Sequence, residues 1–177
     1  MIVRDSVRRQ AVAAGNFSHL WRGVEPLIAL ADVAFLNFEG TAGGVTPDGE
    51  LVTDDRDAID WTAETEVFTS MKIKGGFNYP AELARDLRAA GFGVASLANN
   101  HAMDRSLNGI NETLRVVRRA GLLTIGTRRL DLRRGKIDPG TELEEMMEDF
   151  VAYTDVKGWR VAWVGCAMVV NNVMLRK

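Results

Sequence analysis

The sequence predicts an α/β fold, a largely parallel sheet with helices on its faces. Three observations predict it. Apolar runs at 32–38 and 92–98 each stop abruptly in polar residues. Amphipathic stretches with helical spacing precede or follow these runs. The order strand, helix, strand, helix, strand between residues 32 and 125 is that of parallel strands joined by crossovers.

The elements can be justified in order. Helical spacing over Val7–Ala14 gives way to a turn at Asn16-Phe17-Ser18-His19-Leu20-Trp21. Val24–Leu30 forms a short helix with Pro26 in its first turn, where a missing N–H is tolerated. Asp32-Val33-Ala34-Phe35-Leu36-Asn37-Phe38 reads as a strand buried on both faces, because it is nearly all apolar. Residues 42–78, rich in Gly, Thr and Asp, form a long excursion, of the kind that is usually functional or mobile.

Pro80 then opens a helix with Leu83, Leu87 and Ala90 on one face and Gly91 as its cap. The strand 92–98 follows at once. The next helix runs from about Leu107 to Ala120, with Ile110, Leu114 and Val117 apolar. Leu122–Ile125 is a third strand. Residues 127–150 are charged, with an acidic helical patch at Glu142–Phe150, and Val156-Lys157-Gly158-Trp159 is a hairpin turn into a strand at 160–165.

Composition limits the function classes. The 177 residues suffice for one core, so residues 1–177 read as a single domain. Apolar residues at 46% and charged residues at 26% are the balance of a globular chain, and a net charge of −2 leaves no broad footprint for nucleic acid. The clusters Arg115/Arg118/Arg119 and Arg128/Arg129/Arg133/Arg134 read as a solvated face. Cys166, inside the apolar run Val161–Val170, reads as a small buried hydrophobe. No stretch reaches the roughly 18 uninterrupted apolar residues of a membrane helix, and the first nine residues lack the apolar core of a signal peptide. As written, the chain reads as cytoplasmic.

The chemistry concentrates at strand ends. Glu39 follows the strand 32–38, and Asn99-Asn100-His101 follows the strand 92–98. In a parallel sheet both ends lie on one edge, where ligand groups collect. A carboxylate, an amide oxygen and an imidazole are a partial shell for a divalent manganese, zinc or iron ion, which makes Glu39, Asn100 and His101 the candidate metal ligands. Asp104, three residues past His101, either holds the imidazole by its second nitrogen or caps the following helix. His101 and Asp104 are the candidate catalytic pair. Plainer roles exist for each: Asn99 and Asn100 suit a turn, and Glu39 suits an exposed loop. His19, between aromatic and apolar neighbours, suits packing or helix capping.

These residues carry a resemblance. Ala31–Gly40, with Asn37-Phe38-Glu39, resembles a segment of the bacterial poly-gamma-glutamate capsule synthesis proteins, the CapA family. Phe77-Asn78-Tyr79-Pro80, Gly91-Phe92, Ser96–Asp104, Gly109, Thr113-Leu114 and Ala120-Gly121 resemble the family's longest signature in order and spacing, and Ile125-Gly126-Thr127 and Val156–Ala162 resemble later segments.

The resemblance implies a layered, calcineurin-like metallophosphatase sandwich. Glu39 falls at a bridging carboxylate, Asn100 at a metal-binding amide, and His101 at the imidazole near the leaving group. It implies a phosphoester or polyglutamate-related substrate, partners in the capsule machinery or a second copy of the chain, and an extracytoplasmic or membrane-associated location. Family members begin with a Gly-Asp strand and continue past the equivalent of Lys177 into Gly-His-x-His ligands. The chain therefore reads as a partial copy, incomplete at both ends, with a weak or inactive metal-dependent phosphoesterase site that this piece alone need not load with metal. The alternative is a non-catalytic binding or assembly module that keeps the fold without the chemistry.

Overall fold

A computed structural model describes residues 10–11, 13–14, 16–43, 77–104, 106–128 and 151–169. Residues 10, 11, 13 and 14 have helical backbone, within the stretch expected to be helical. A short turn of 3-10 helix spans Ser18–Leu20, and helix α1 spans Glu25–Leu30 with its proline at the first turn. Strand β1 is Ala34–Asn37 and β2 is Thr41–Ala42. After the excursion come β3 (Asn78–Tyr79), α2 (Glu82–Ala89), β4 (Phe92–Ser96), α3 (Ser106–Arg119) and β5 (Leu123–Ile125). The described residues end with β6 (Val151–Val156) and β7 (Trp159–Val164). The acidic helix expected at Glu142–Phe150 and most of the excursion lie outside the described residues.

A parallel sheet in the order β1-β4-β5 forms the centre, as the strand–helix alternation predicts. Its ladder continues past the strands, with the Phe38 N–H donating to the Ser96 carbonyl and the Leu97 N–H to that of Ile125, both at 2.9 Å. Successive side chains alternate faces. Leu36, Ala95 and Leu97 pack with Leu83 and Leu87 of α2 and with Leu114, Val116 and Val117 of α3. Val94 and Ile125 point the other way, into a smaller cluster with Ala152, Val33, Leu123 and Trp163. Among the described residues the helices α2 and α3 cover one face, and the antiparallel pair β6–β7 covers part of the other.

The hairpin also corrects two expectations. Strand β1 is not buried on both faces: Phe35 is 45% exposed and touches the second layer by stacking on Trp163, with ring centroids 5.6 Å apart. Cys166 is exposed rather than buried. The run 161–170 is apolar on both sides, yet β7 pairs with β6 alone and sets only Val161, Trp163 and Gly165 inward, leaving Ala162, Val164 and Cys166 outside. The hairpin turn itself falls where expected. Lys157 (φ 50°) and Gly158 (φ 84°) are both left-handed, as a two-residue type I′ turn requires.

A second parallel pair, β2–β3, was not legible in the sequence. Thr41 and Ala42 pair with Asn78 and Tyr79, so the excursion leaves and re-enters the fold at one place. Helix α3 locks that place. The Thr113 hydroxyl accepts the Ala42 N–H at 2.9 Å and donates to the Gly109 carbonyl at 2.6 Å. The N-terminal segment is fastened to α2 instead, where the Asp86 carboxylate accepts the Phe17 N–H at 2.8 Å.

Candidate functional site

The sheet brings the two polar strand ends together. β1 and β4 are parallel neighbours, paired Asn37 to Ser96, so Phe38-Glu39 and Leu97–His101 leave the sheet side by side. Asn99 stitches them. Its Nδ2 donates to the Phe38 carbonyl at 2.9 Å and, at 3.4 Å, to Asn37 Oδ1. Its Oδ1 accepts the His101 N–H at 3.0 Å, which makes the turn an Asx-turn. The amide of Asn99 is thus spent on structure. Asn100, the next residue, and Glu39, next to Phe38, are both partly buried on the flanks of this stitch.

Asp104 makes the imidazole contact, one of the two roles the sequence offers it. Its Oδ2 lies 2.7 Å from His101 Nδ1, and the same oxygen accepts the Phe77 N–H at 2.6 Å. One carboxylate oxygen thus serves both the imidazole and the main chain at Phe77. Both side chains are sheltered, His101 being 14% and Asp104 3% exposed. Facing a carboxylate, Nδ1 is the ring nitrogen that carries the proton and donates it in this contact.

Phe77 entered the sequence reading only within a resemblance, with no role of its own, and its ring packs against His101. Its ring centroid is 4.4 Å from that of His101 and 6.1 Å from that of Tyr79, and Tyr79 meets Phe38 edge to face. The Phe77 carbonyl accepts both the Thr41 N–H at 3.3 Å and the Thr41 hydroxyl at 2.6 Å. Gly40 permits this approach. It has φ +113°, and a Cβ there would sit 2.6 Å from Phe77 Cβ.

His19 lies apart in its 3-10 turn. Asn16 Oδ1 accepts the Ser18 N–H at 3.1 Å, and the N-cap residue of the turn, Phe17, makes no side-chain cap bond. Among the described residues both His19 ring nitrogens are buried without a hydrogen-bond partner. Of the arginines, Arg115 pairs with Glu112, while Arg118 and Arg119 are exposed; Arg129, Arg133 and Arg134 lie outside the described residues. Among the described residues no three His, Cys, Asp or Glu side chains gather as a metal cluster, and no helix is long and apolar enough to cross a membrane.

The chain is thus an α/β protein with a hydrogen-bonded Asp–His pair, the aspartate buried and the imidazole partly so, beside its adjacent strand ends. The comparison with known families narrows this. Residues 1–173 match the family described as "Bacterial capsule synthesis protein PGA_cap", and the chain belongs to that family. It is also similar to an "Uncharacterized protein y4uA" of Sinorhizobium fredii (strain NBRC 101917 / NGR234), with 30% identity over 124 residues. That match takes in 70% of this chain and 23% of the relative, so the chain spans less than a quarter of that protein's length. No solved structure matches.

Proposed function

We propose that this capsule-synthesis family member carries one side of a metal-assisted phosphoester site within a metallophosphatase-like layered fold. The observation that carries this reading is the Asp104–His101 hydrogen bond of 2.7 Å. Histidines that bind metals or move protons in catalysis are ordinarily held this way, with the far nitrogen fixed by a carboxylate.

The donors suit a divalent cation in kind. Glu39 offers a carboxylate, Asn100 an amide oxygen and His101 an imidazole, an assortment that manganese, zinc and iron accept. The chemistry such a cation supplies is acidification of a bound water and stabilisation of charge on a phosphoryl oxygen. The chain's own part is to hold the His101 imidazole beside the two strand ends and to keep the ring from turning. Asp104 does the holding. Capsule polymer synthesis is the process this site would serve, on a phosphoester or polyglutamate-related substrate.

Three donors make up part of a shell, so hydrolysis by residues 1–177 alone is expected to be weak or absent. Calorimetric titration of the purified chain with manganese and with zinc tests the site. Micromolar binding that disappears in His101→Ala and weakens in Glu39→Gln supports it. Silence from a chain that still melts cooperatively overturns it and favours a non-catalytic assembly module. Manganese-dependent turnover of p-nitrophenyl phosphate, abolished by His101→Ala, would show instead that the partial shell suffices.

A further inference from the structure

We propose that Phe77 is a positioning residue for the His101–Asp104 pair, acting through its main-chain amide and its ring together. The inference rests on the reading of His101 as the working imidazole of the site. Asp104 Oδ2 takes two donors, His101 Nδ1 at 2.7 Å and the Phe77 N–H at 2.6 Å. A carboxylate oxygen fixed by a main-chain N–H cannot rotate to follow a drifting ring. The imidazole must therefore come to it, with the proton on Nδ1.

The Phe77 amide is itself fixed from the other side. Thr41 holds the Phe77 carbonyl with its N–H and its hydroxyl, and Gly40 allows β2 to come that close. The chain of contacts thus runs from Thr41 through Phe77 and Asp104 to His101. The Phe77 ring adds a second constraint. At 4.4 Å and tilted by 55°, it packs on the imidazole and opposes a flip of the ring about its Cβ–Cγ bond. A flip would trade Nδ1 for a carbon at Asp104 and leave a buried carboxylate with one donor fewer, a costly exchange.

The test reads the histidine tautomer directly, by long-range proton–nitrogen NMR spectra of the ¹⁵N-labelled chain without metal or substrate. The two histidines are separated by the spectrum of His101→Ala, and His19 serves as the internal reference. In the native chain His101 is expected as the Nδ1–H tautomer. Phe77→Ala keeps the main-chain N–H and removes the ring, and should reduce the preference for that tautomer about fivefold, the factor one aromatic contact supplies. Thr41→Val, which keeps the ring but loses the hydroxyl clamp, should shift it in the same direction by less, and Phe77→Tyr should restore it.

A native tautomer signature in folded Phe77→Ala overturns the proposal. If Phe77→Ala does not fold, an unshifted signature in Thr41→Val overturns it. The readout needs no cation, so a chain that binds no manganese can still show the shift. Failure of the metal reading and failure of this one are therefore seen separately.

Discussion

Asn99 Nδ2 donates to the carbonyl of Phe38 at 2.9 Å, joining the carboxyl ends of two parallel strands by one side chain. The same amide holds the His101 N–H through its oxygen. One residue therefore sets both the gap between the strand ends and the start of the turn that carries the imidazole. Asn99 is buried, at 7% exposed, so neither bond is readily replaced by water. Asn99→Ala should destabilise the chain by about 2 kcal/mol, lowering Tm by roughly 4–8 °C for a chain of this size. Asn99→Asp keeps the acceptor for the His101 N–H but sets a charged oxygen against the Phe38 carbonyl. It should be no more stable than the alanine variant, and thermal melts of the two variants decide it.

Asp104 supports both the main chain at Phe77 and the ring of His101. Asp104→Asn keeps the shape and one oxygen, which can still take both donors, but it loses the charge and puts a buried NH₂ group where Oδ1 lay. A loss of about 1–3 kcal/mol is expected in urea unfolding, from the buried group left unsatisfied. If the chain binds manganese or zinc, the same substitution should weaken binding roughly 10–100-fold, the usual effect of removing the carboxylate behind a ligating histidine. Unchanged affinity measured by calorimetry would separate Asp104 from the site.

Thr113 makes a sharper case, because its hydroxyl is used twice. It accepts the buried Ala42 N–H and donates to the Gly109 carbonyl one turn back along α3. Thr113→Val removes both bonds and should cost about 1–3 kcal/mol, most of it from the orphaned Ala42 N–H. Thr113→Ser keeps the hydroxyl and gives up only a methyl, so it should retain more than half of the lost stability. Equal losses in the two variants, read from denaturant midpoints, would show that packing of the methyl counts for as much as the bond to β2 in holding this place.

How much of this was legible in the sequence follows from the range of each interaction. The strand at 92–96 and the helices around it are local patterns, and the structure follows them to within a few residues. The Asp104–His101 contact was legible too, because it spans three residues. Phe77 was not: its partners Thr41 and Asp104 stand 36 and 27 residues away, and nothing in an aromatic residue beside Asn78-Tyr79 announces a main-chain amide that anchors a carboxylate. Cys166 and Phe35 failed for another reason. An apolar strand reads as buried on both faces, whereas burial depends on how many layers reach it. Here β1 lies at the sheet edge and β7 has a single partner strand among the described residues.

Gly126 offers the most demanding check on how those layers meet. It follows β5 with φ +82°, and a Cβ placed on it would overlap Ala98 Cβ and come within 3.1 Å of the Gly165 backbone. Gly165 approaches from the other side, where a Cβ of its own would lie 2.8 Å from Gly126 Cα. The main chains after β5 and β7 thus cross with no room for a side chain, immediately beside Ala98, three residues before His101. A methyl group at 126 adds left-handed strain to overpacking, each worth about 1–3 kcal/mol. Gly126→Ala should therefore cost at least ~2 kcal/mol and push the β6–β7 hairpin away from the sheet. Amide hydrogen exchange should then quicken in residues 159–164 more than in α2, which packs on the opposite face. Equal acceleration in both would mean that the crossing of the two glycines does not hold the hairpin in place.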